Sequence, residues 1–189
     1  MEEFASVLYI VQLLYLMLPG IFANLAPIFA AKLQILKSLA KPVDFGRNWF
    51  DNRPILGSHK TFRGFLTGIA AAIAIAFIQF RLSDYGLFRE ISILNYPDYN
   101  FIVLGFLIGF GVLLGDSVKS FFKRRLGIMP GRPFFPFDQI DSVIGALALV
   151  SIVYVPSLGL VISLLFLTLF THLLFRTIGY YLGISKERW

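Results

Sequence analysis

The stretch Gly115-Asp-Ser-Val-Lys-Ser-Phe-Phe-Lys-Arg-Arg125, continued by Leu126-Gly-Ile-Met-Pro-Gly-Arg-Pro-Phe-Phe-Pro-Phe137 and Asp138-Gln-Ile-Asp-Ser-Val-Ile-Gly-Ala146, sets three carboxylates and five cations between two apolar segments. The apolar run before it, Tyr99 to Leu114, is 16 residues long. A helix needs about 20 residues to cross roughly 30 Å of hydrocarbon, so this span has to continue through Gly115, Asp116 and Ser117. The span after it likewise needs Asp138 and Asp141 at or just inside its start. Ionisable groups at that depth are costly, and they mark sites where a cation or a metal is held. An Asp ahead of an apolar run is also an ordinary helix-start signal, which accounts for Asp138. It does not account for Asp141, three residues further on and on the same helix face.

Working outward, the remaining apolar segments are Ala5 to Ala31, Phe62 to Phe80 and Leu158 to Leu182. The expectation is an all-α integral membrane protein forming one domain over 1–189. Its five transmembrane helices fall at about 5–31, 62–80, 99–118, 138–155 and 158–182. A hydrophobic content of 57%, a charged content of 15% and a mean hydropathy of +0.76 exclude a soluble globule. There is no cysteine, so disulfides, thiolate nucleophiles and thiolate metal sites are excluded and hard oxygen ligands remain. The opening Met-Glu-Glu-Phe is acidic where a secretory signal is basic, so the first segment reads as a retained span. Pro19-Gly20, Asn24 and Pro27 predict that this span is kinked or interrupted, with the freed backbone groups covered by neighbouring helices. Gly64, Gly68 and Ala72 give the second span a small-residue face for close packing. Pro156-Ser157 joins the fourth and fifth spans as a tight hairpin.

Charge sets the orientation. Seven Lys/Arg oppose two acids between Lys32 and Arg63, and five oppose three between Asp116 and Asp141, whereas Arg81 to Asn100 holds two against three. The positive-inside bias makes the first two connections cytoplasmic. The N-terminus is then outside, and the C-terminus, with Arg176, Lys186 and Arg188, is inside. An odd number of spans agrees with this. The net charge of +6 is thus concentrated on one membrane face, where Lys32, Lys37 and Lys41 suit anionic headgroups.

Continuing the helix past Asp116 puts Lys119, Ser120 and Lys123 on one face with it, and Val118, Phe121, Phe122 and Arg125 on the other. A carboxylate, a hydroxyl and two ammonium groups together suit a magnesium polyphosphate better than a bare cation or a bare anion. A second constellation, Asp51-Asn-Arg-Pro-Ile-Leu-Gly-Ser-His-Lys-Thr-Phe-Arg-Gly64, places Lys60 and Arg63 at the N-terminus of the second span, where free N–H groups favour phosphate. It lacks the Walker A spacing. His59 and His172 form no recognisable pair, and there is no Ser-His-Asp arrangement.

Gly115-Asp116-x-x-x-Ser120-x-x-Lys123-Arg124, followed by Asp138-x-x-Asp141-Ser142, resembles the signature of the membrane-embedded CTP-transferase superfamily that includes phosphatidate cytidylyltransferase. Lys60-Thr61-Phe62-Arg63-Gly64 is similar to its second block. The five-span size and Pro54-x-x-Gly57-Ser58-x-Lys60-Thr61 look most like its archaeal branch, which makes CDP-archaeol. Two positions depart from the bacterial pattern: Phe135-Pro136-Phe137 stands for His-Gly-Gly, and Arg63 stands for Glu.

The resemblance implies transfer of CMP from CTP to an isoprenoid glycerol phosphate lipid in the cell membrane, at its cytoplasmic face, releasing pyrophosphate. Membrane lipids are implied as partners and a nucleic acid polymer is not. Asp116, Asp138 and Asp141 are implied as ligands of one or two Mg2+, with Lys123 beside them in catalysis. Lys60, Arg63, Ser117, Lys119, Ser120, Arg124 and Arg132 are implied around the phosphates, and Asn52 at the base or ribose. An already ionised phosphate needs no general base, so positioning and charge neutralisation suffice. Two other readings stand beside this one: a CTP-dependent polyprenol kinase, which would use the same groups and release CDP, and a small transporter, whose ionisable groups belong near the midplane in repeated halves, whereas here they crowd one face and no repeat is seen.

Overall fold

The computed structural model describes residues 2–129 and 132–181. Its helices are α1 (Glu2–Lys32), α2 (Phe62–Leu82), α3 (Gly86–Glu90), α4 (Phe101–Arg125), α5 (Phe137–Val150) and α6 (Leu158–Tyr181), with short 3-10 turns at Lys37–Leu39 and Tyr96–Asp98. Among the described residues there is no strand. The long α1–α2 loop holds only two isolated bridges, Pro42 with Thr61 and Asn48 with Pro54. Three helices, α1, α2 and α4, are long and apolar enough to cross a membrane, and α6 adds a shorter apolar stretch over Leu158–Leu174.

α4 is the central element, packed against α1, α2 and α5. Its glycines explain why. A Cβ on Gly105 or Gly109 would run into the backbone of α2 at Ile73 or Ile69, and one on Gly111 would meet Ala146 Cα of α5 at 2.8 Å. Two faces of one helix are thus stripped to the backbone so that neighbours approach closely. The core around this centre is Tyr15, Ala23, Ala72, Leu104, Ile108 and Val112.

α1 runs through both prolines as one helix, so of the kinked or interrupted span expected it is not the interrupted one. The reason lies in α2. Pro19 has no N–H, so the carbonyl of Tyr15, four residues earlier, loses its helical partner. Gln79, fully buried in α2, donates its Nε2–H to that carbonyl at 2.6 Å. Pro27 frees the Ala23 carbonyl in the same way, and there α2 presents Gly68, where any Cβ would lie 2.6 Å from that oxygen. Gly68, Ala72 and Ala76 form the buried face of α2.

α4 begins at Phe101, two residues after the expected Tyr99. The Asn100 side chain caps it, accepting from Ile102 N at 2.9 Å and Val103 N at 3.2 Å. It continues to Arg125, past the expected span limit at 118 and in line with the helical continuation expected beyond Asp116. α5 ends at Val150 and not at 155, because the chain turns at Ser151–Val153 and Pro156 disfavours a helical Val155. Its 14 residues rise about 21 Å, short of the hydrocarbon thickness. The expected limit at Leu182 and the cations Lys186 and Arg188 lie outside the described residues, as does the Arg176 side chain.

Candidate active site

Helical spacing brings the three carboxylates together only because α4 and α5 touch backbone to backbone. A Cβ on Gly115 would sit 3.0 Å from the Asp141 carbonyl carbon, so the backbones that carry Asp116 and Asp141 touch along this seam. Lys119, one turn beyond Asp116, sends its ammonium into the gap. Its Nζ lies 3.1 Å from Asp116 Oδ1, 3.0 Å from Asp138 Oδ1 and 2.7 Å from Asp141 Oδ2. Lys123, a further turn on and buried, pairs with both oxygens of Asp138 at 3.1–3.2 Å and donates to the Arg132 carbonyl at 2.6 Å. Asp138 is not a helix cap. It sits in the first turn of α5, whose N-cap is Pro136, and accepts from Phe134 N at 2.7 Å.

Lys60 reaches the cluster from the loop and pairs with Asp116. The backbone holds it in place: Val43 N donates to Lys60 O at 2.8 Å and Phe62 N to Lys41 O at 3.1 Å. Asp44 in turn shapes that loop, accepting from Gly46 N, Leu56 N and Gly57 N at 2.9–3.1 Å. Burial pushes the Asp44 carboxyl upward, but these backbone donors outweigh it and hold the group below its ordinary range.

Arg125, expected on the apolar face of its helix, locks the same loop. Its guanidinium lies 4.0 Å from the Phe121 ring centroid, donates to Pro54 O at 2.8 Å and faces Asp51 Oδ2 at 3.4 Å. Arg53 answers from the loop by donating to the Arg124 and Arg125 carbonyls at the end of α4.

The other expected residues are placed as follows. Ser117 and Ser120 are buried and donate to carbonyls of their own helix, Leu113 O at 2.7 Å and Asp116 O at 2.8 Å, so each retains only acceptor capacity towards a ligand. Arg124 donates to Ile128 O at 2.8 Å. Arg132 is exposed and joins through its carbonyl. Arg63 lies in the first turn of α2, where Thr61 caps Gly64 N at 3.1 Å. Asn52, left-handed at φ 57, is exposed at the tip of the α1–α2 loop and is not brought into the cluster.

A groove of about 440 Å3 opens between α1, α5 and α6 and ends at this cluster. Leu16 and Ile28 of α1, Val143 and Leu147 of α5, and Leu160 and Leu164 of α6 line its apolar length, and Asp116, Lys119, Asp138 and Asp141 close its head. A second, apolar groove of about 540 Å3 on the other side of the α4–α5 seam, walled by Phe122, Phe134, Phe137 and Leu149, reaches the same Lys119 and Asp141.

Two further residues belong to the first groove. Asn24 of α1 donates to Ser142 Oγ at 3.3 Å beside Asp141. Gln139 is buried with neither amide atom hydrogen-bonded. Asn24, an amide between two prolines in an apolar span, was visible in the sequence as a polar exception. Gln139 was visible only as a neighbour of Asp138.

Around a metal the donor set is all hard oxygen, which suits Mg2+. Asp141 Oδ2 is buried and faces only the Lys119 ammonium, at 2.7 Å, so it has ligand capacity to spare. Among the described residues the acids do not close on one point as they stand, because an ammonium separates them. The residues fit a divalent ion chemically.

The family model described as CarS-like, CDP-archaeol synthase, matches residues 6–189. The chain is 42% identical over 157 residues to the CDP-archaeol synthase of Methanospirillum hungatei, covering 78% of this chain and 89% of that protein. To that of Methanocaldococcus jannaschii it is 38% identical over 148 residues, covering 78% and 83%. To that of Thermococcus gammatolerans it is 34% identical over 178 residues, covering 93% and 94%. A solved structure described as an intramembrane enzyme for archaeal membrane lipids biosynthesis superposes with a TM-score of 0.66 at 33% identity, covering 85% of this chain and 89% of that one.

Proposed function

The chain belongs to the CarS-like CDP-archaeol synthase family of cytidylyltransferases, and on that premise we propose that its carboxylate–lysine cluster joins the α-phosphate of CTP to the phosphate of an unsaturated isoprenoid ether lipid. The observation that carries this reading is the apolar groove that ends at three carboxylates and an ammonium. A groove of hydrocarbon-lining side chains suits isoprenoid tails, and a charged head suits a phosphate meeting a triphosphate. Two grooves reaching the same Lys119 and Asp141 suit a lipid with two chains.

In the reaction a lipid phosphate oxygen attacks the α-phosphorus of CTP. The new P–O bond forms as the bond to the bridging oxygen of the β-phosphate breaks, and pyrophosphate leaves with that electron pair. The attacking phosphate is already ionised near neutral pH, so no side chain has to take a proton. Lys60, Lys119 and Lys123 hold the phosphates in line and oppose their charge, which is most of what phosphoryl-type transfer asks of a protein. Asp116, Asp138 and Asp141 would hold Mg2+, which neutralises charge on the triphosphate when bound. Gly115 and Gly145 keep the acids in register by letting α4 and α5 touch.

Five spans, with the N-terminus outside and the cluster at the cytoplasmic face, complete the reading. The basic α1–α2 loop that supplies Lys60 then lies where CTP is found. The test is product identity with CTP and a panel of lipid phosphates. Pyrophosphate and a CDP-lipid are expected, whereas CDP as the product with a lipid alcohol would assign a kinase.

A further inference from the structure

Lys119 is the only described side chain that touches all three carboxylates, and its ammonium stands between them at 2.7–3.1 Å. Those distances suit N–H donors, whereas Mg2+ draws its oxygens to about 2.0–2.1 Å. The ammonium and a divalent ion therefore cannot share the space between Asp116, Asp138 and Asp141. Charge makes the same point. Three carboxylates face three ammonium groups, those of Lys60, Lys119 and Lys123, so the cluster is balanced before any metal arrives. A bare divalent ion would enter a neutralised, poorly hydrated site and meet ammonium repulsion at close range.

We infer that Lys119 is a resident counter-cation that holds the carboxylates in place of the metal, so that the divalent ion binds only together with the triphosphate, onto which the displaced ammonium moves. The nucleotide supplies the negative charge that the ammonium needs once it leaves Asp141, whose buried Oδ2 it now holds at 2.7 Å. Metal and CTP then load as one step. This rests on the proposed function, in which these acids ligate a divalent ion and Lys119 meets phosphate.

The test is Mn2+ binding followed by electron paramagnetic resonance on the purified protein, with and without CTP and without lipid. Wild type is compared with Lys119→Met, which keeps the length of the side chain and removes its charge. Without CTP the variant should bind Mn2+ at least roughly tenfold more tightly than wild type, since one close ammonium has gone. CTP should tighten Mn2+ binding strongly in wild type and much less in the variant. Equal or weaker Mn2+ binding by Lys119→Met without CTP overturns the inference alone. No Mn2+ binding by wild type even with CTP overturns the metal assignment of the proposed function as well. If the variant shows no thermal transition in metal-free buffer, millimolar Mn2+ should restore it by replacing the missing cation, and a failure to restore it also overturns the inference.

Discussion

Replacing Gly145 with Ala adds one methyl group and alters no charge, yet it should damage catalysis through the α4–α5 seam. The new Cβ would meet the Gly111 carbonyl oxygen and lie 2.8 Å from both the N and the Cα of Gly115. All of these are backbone atoms, so no side chain can turn away. Carbon contacts settle near 3.5–4.0 Å, so α5 has to move outward by about 1 Å. Asp141 is one turn away on the same helix and moves with it, opening its 2.7 Å approach to Lys119. Overpacking of this kind costs about 1–3 kcal/mol. A displacement near 1 Å of a catalytic group costs about 100-fold in rate. The expected result for Gly145→Ala is a lowered thermal midpoint in detergent and pyrophosphate release down by about 10- to 100-fold in the folded fraction. Gly159→Ala is the control, because nothing lies within 4 Å of its Cβ, and it should be neutral or slightly stabilising. Wild-type stability and rate in Gly145→Ala would refute the idea that backbone contact across this seam sets the position of Asp141.

The carboxylates should act as ligands rather than as fold elements: Asp116→Asn and Asp141→Asn should lose activity by orders of magnitude with near-normal folded yield, measured by pyrophosphate release and size-exclusion chromatography. At Asp138 the Asn variant should also be inactive, and full activity there would remove the residue from the ligand set and leave it a structural role through Phe134 N and the two lysines. Lys123→Ala should weaken CTP binding measured without lipid. Arg63→Ala should leave CTP binding near normal and raise the lipid concentration for half-maximal rate, since a charged contact to phosphate contributes about 1.5–3 kcal/mol. For pH, Asp44 has a lowered folded-state pKa, so its stabilisation is present above the unfolded value near 3.9 and is lost as pH falls through the folded value. Asp44→Asn should accordingly be less stable than wild type at pH 5–7, the gap closing below about pH 4 as followed by thermal midpoint. Single cysteines at Ser38 and at Asp84 should be labelled from opposite sides of the membrane, Ser38 from the cytoplasm, and the reverse pattern would invert the topology.

The linear pattern carried a good deal. Hydrocarbon-length runs pointed to the long apolar helices α1, α2 and α4, because burying an apolar face is a property of composition and period. The small-residue spacing of Gly64, Gly68 and Ala72 pointed to a packing face, and Asp116, Lys119 and Lys123 fell on one side of α4 because 3.6 residues per turn leaves no other choice. Both prolines of α1 were legible as sites of freed carbonyls. Which groups cover them, Gln79 and the bare backbone at Gly68, was not, since that depends on how α2 is set against α1. The same holds at the cluster. Sequence spacing links Asp116 to Lys119 and Asp138 to Asp141, but that one ammonium reaches both pairs follows from glycine contacts between α4 and α5. Arg125 does share a face with Phe121, as its period requires, but that the loop from Asp51 to Ile55 takes its hydrogen bonds follows only from the packed structure. Local periodicity sets which side of a helix a residue occupies, whereas contacts between segments distant in the chain decide what it meets there, and those contacts exist only once the helices have packed.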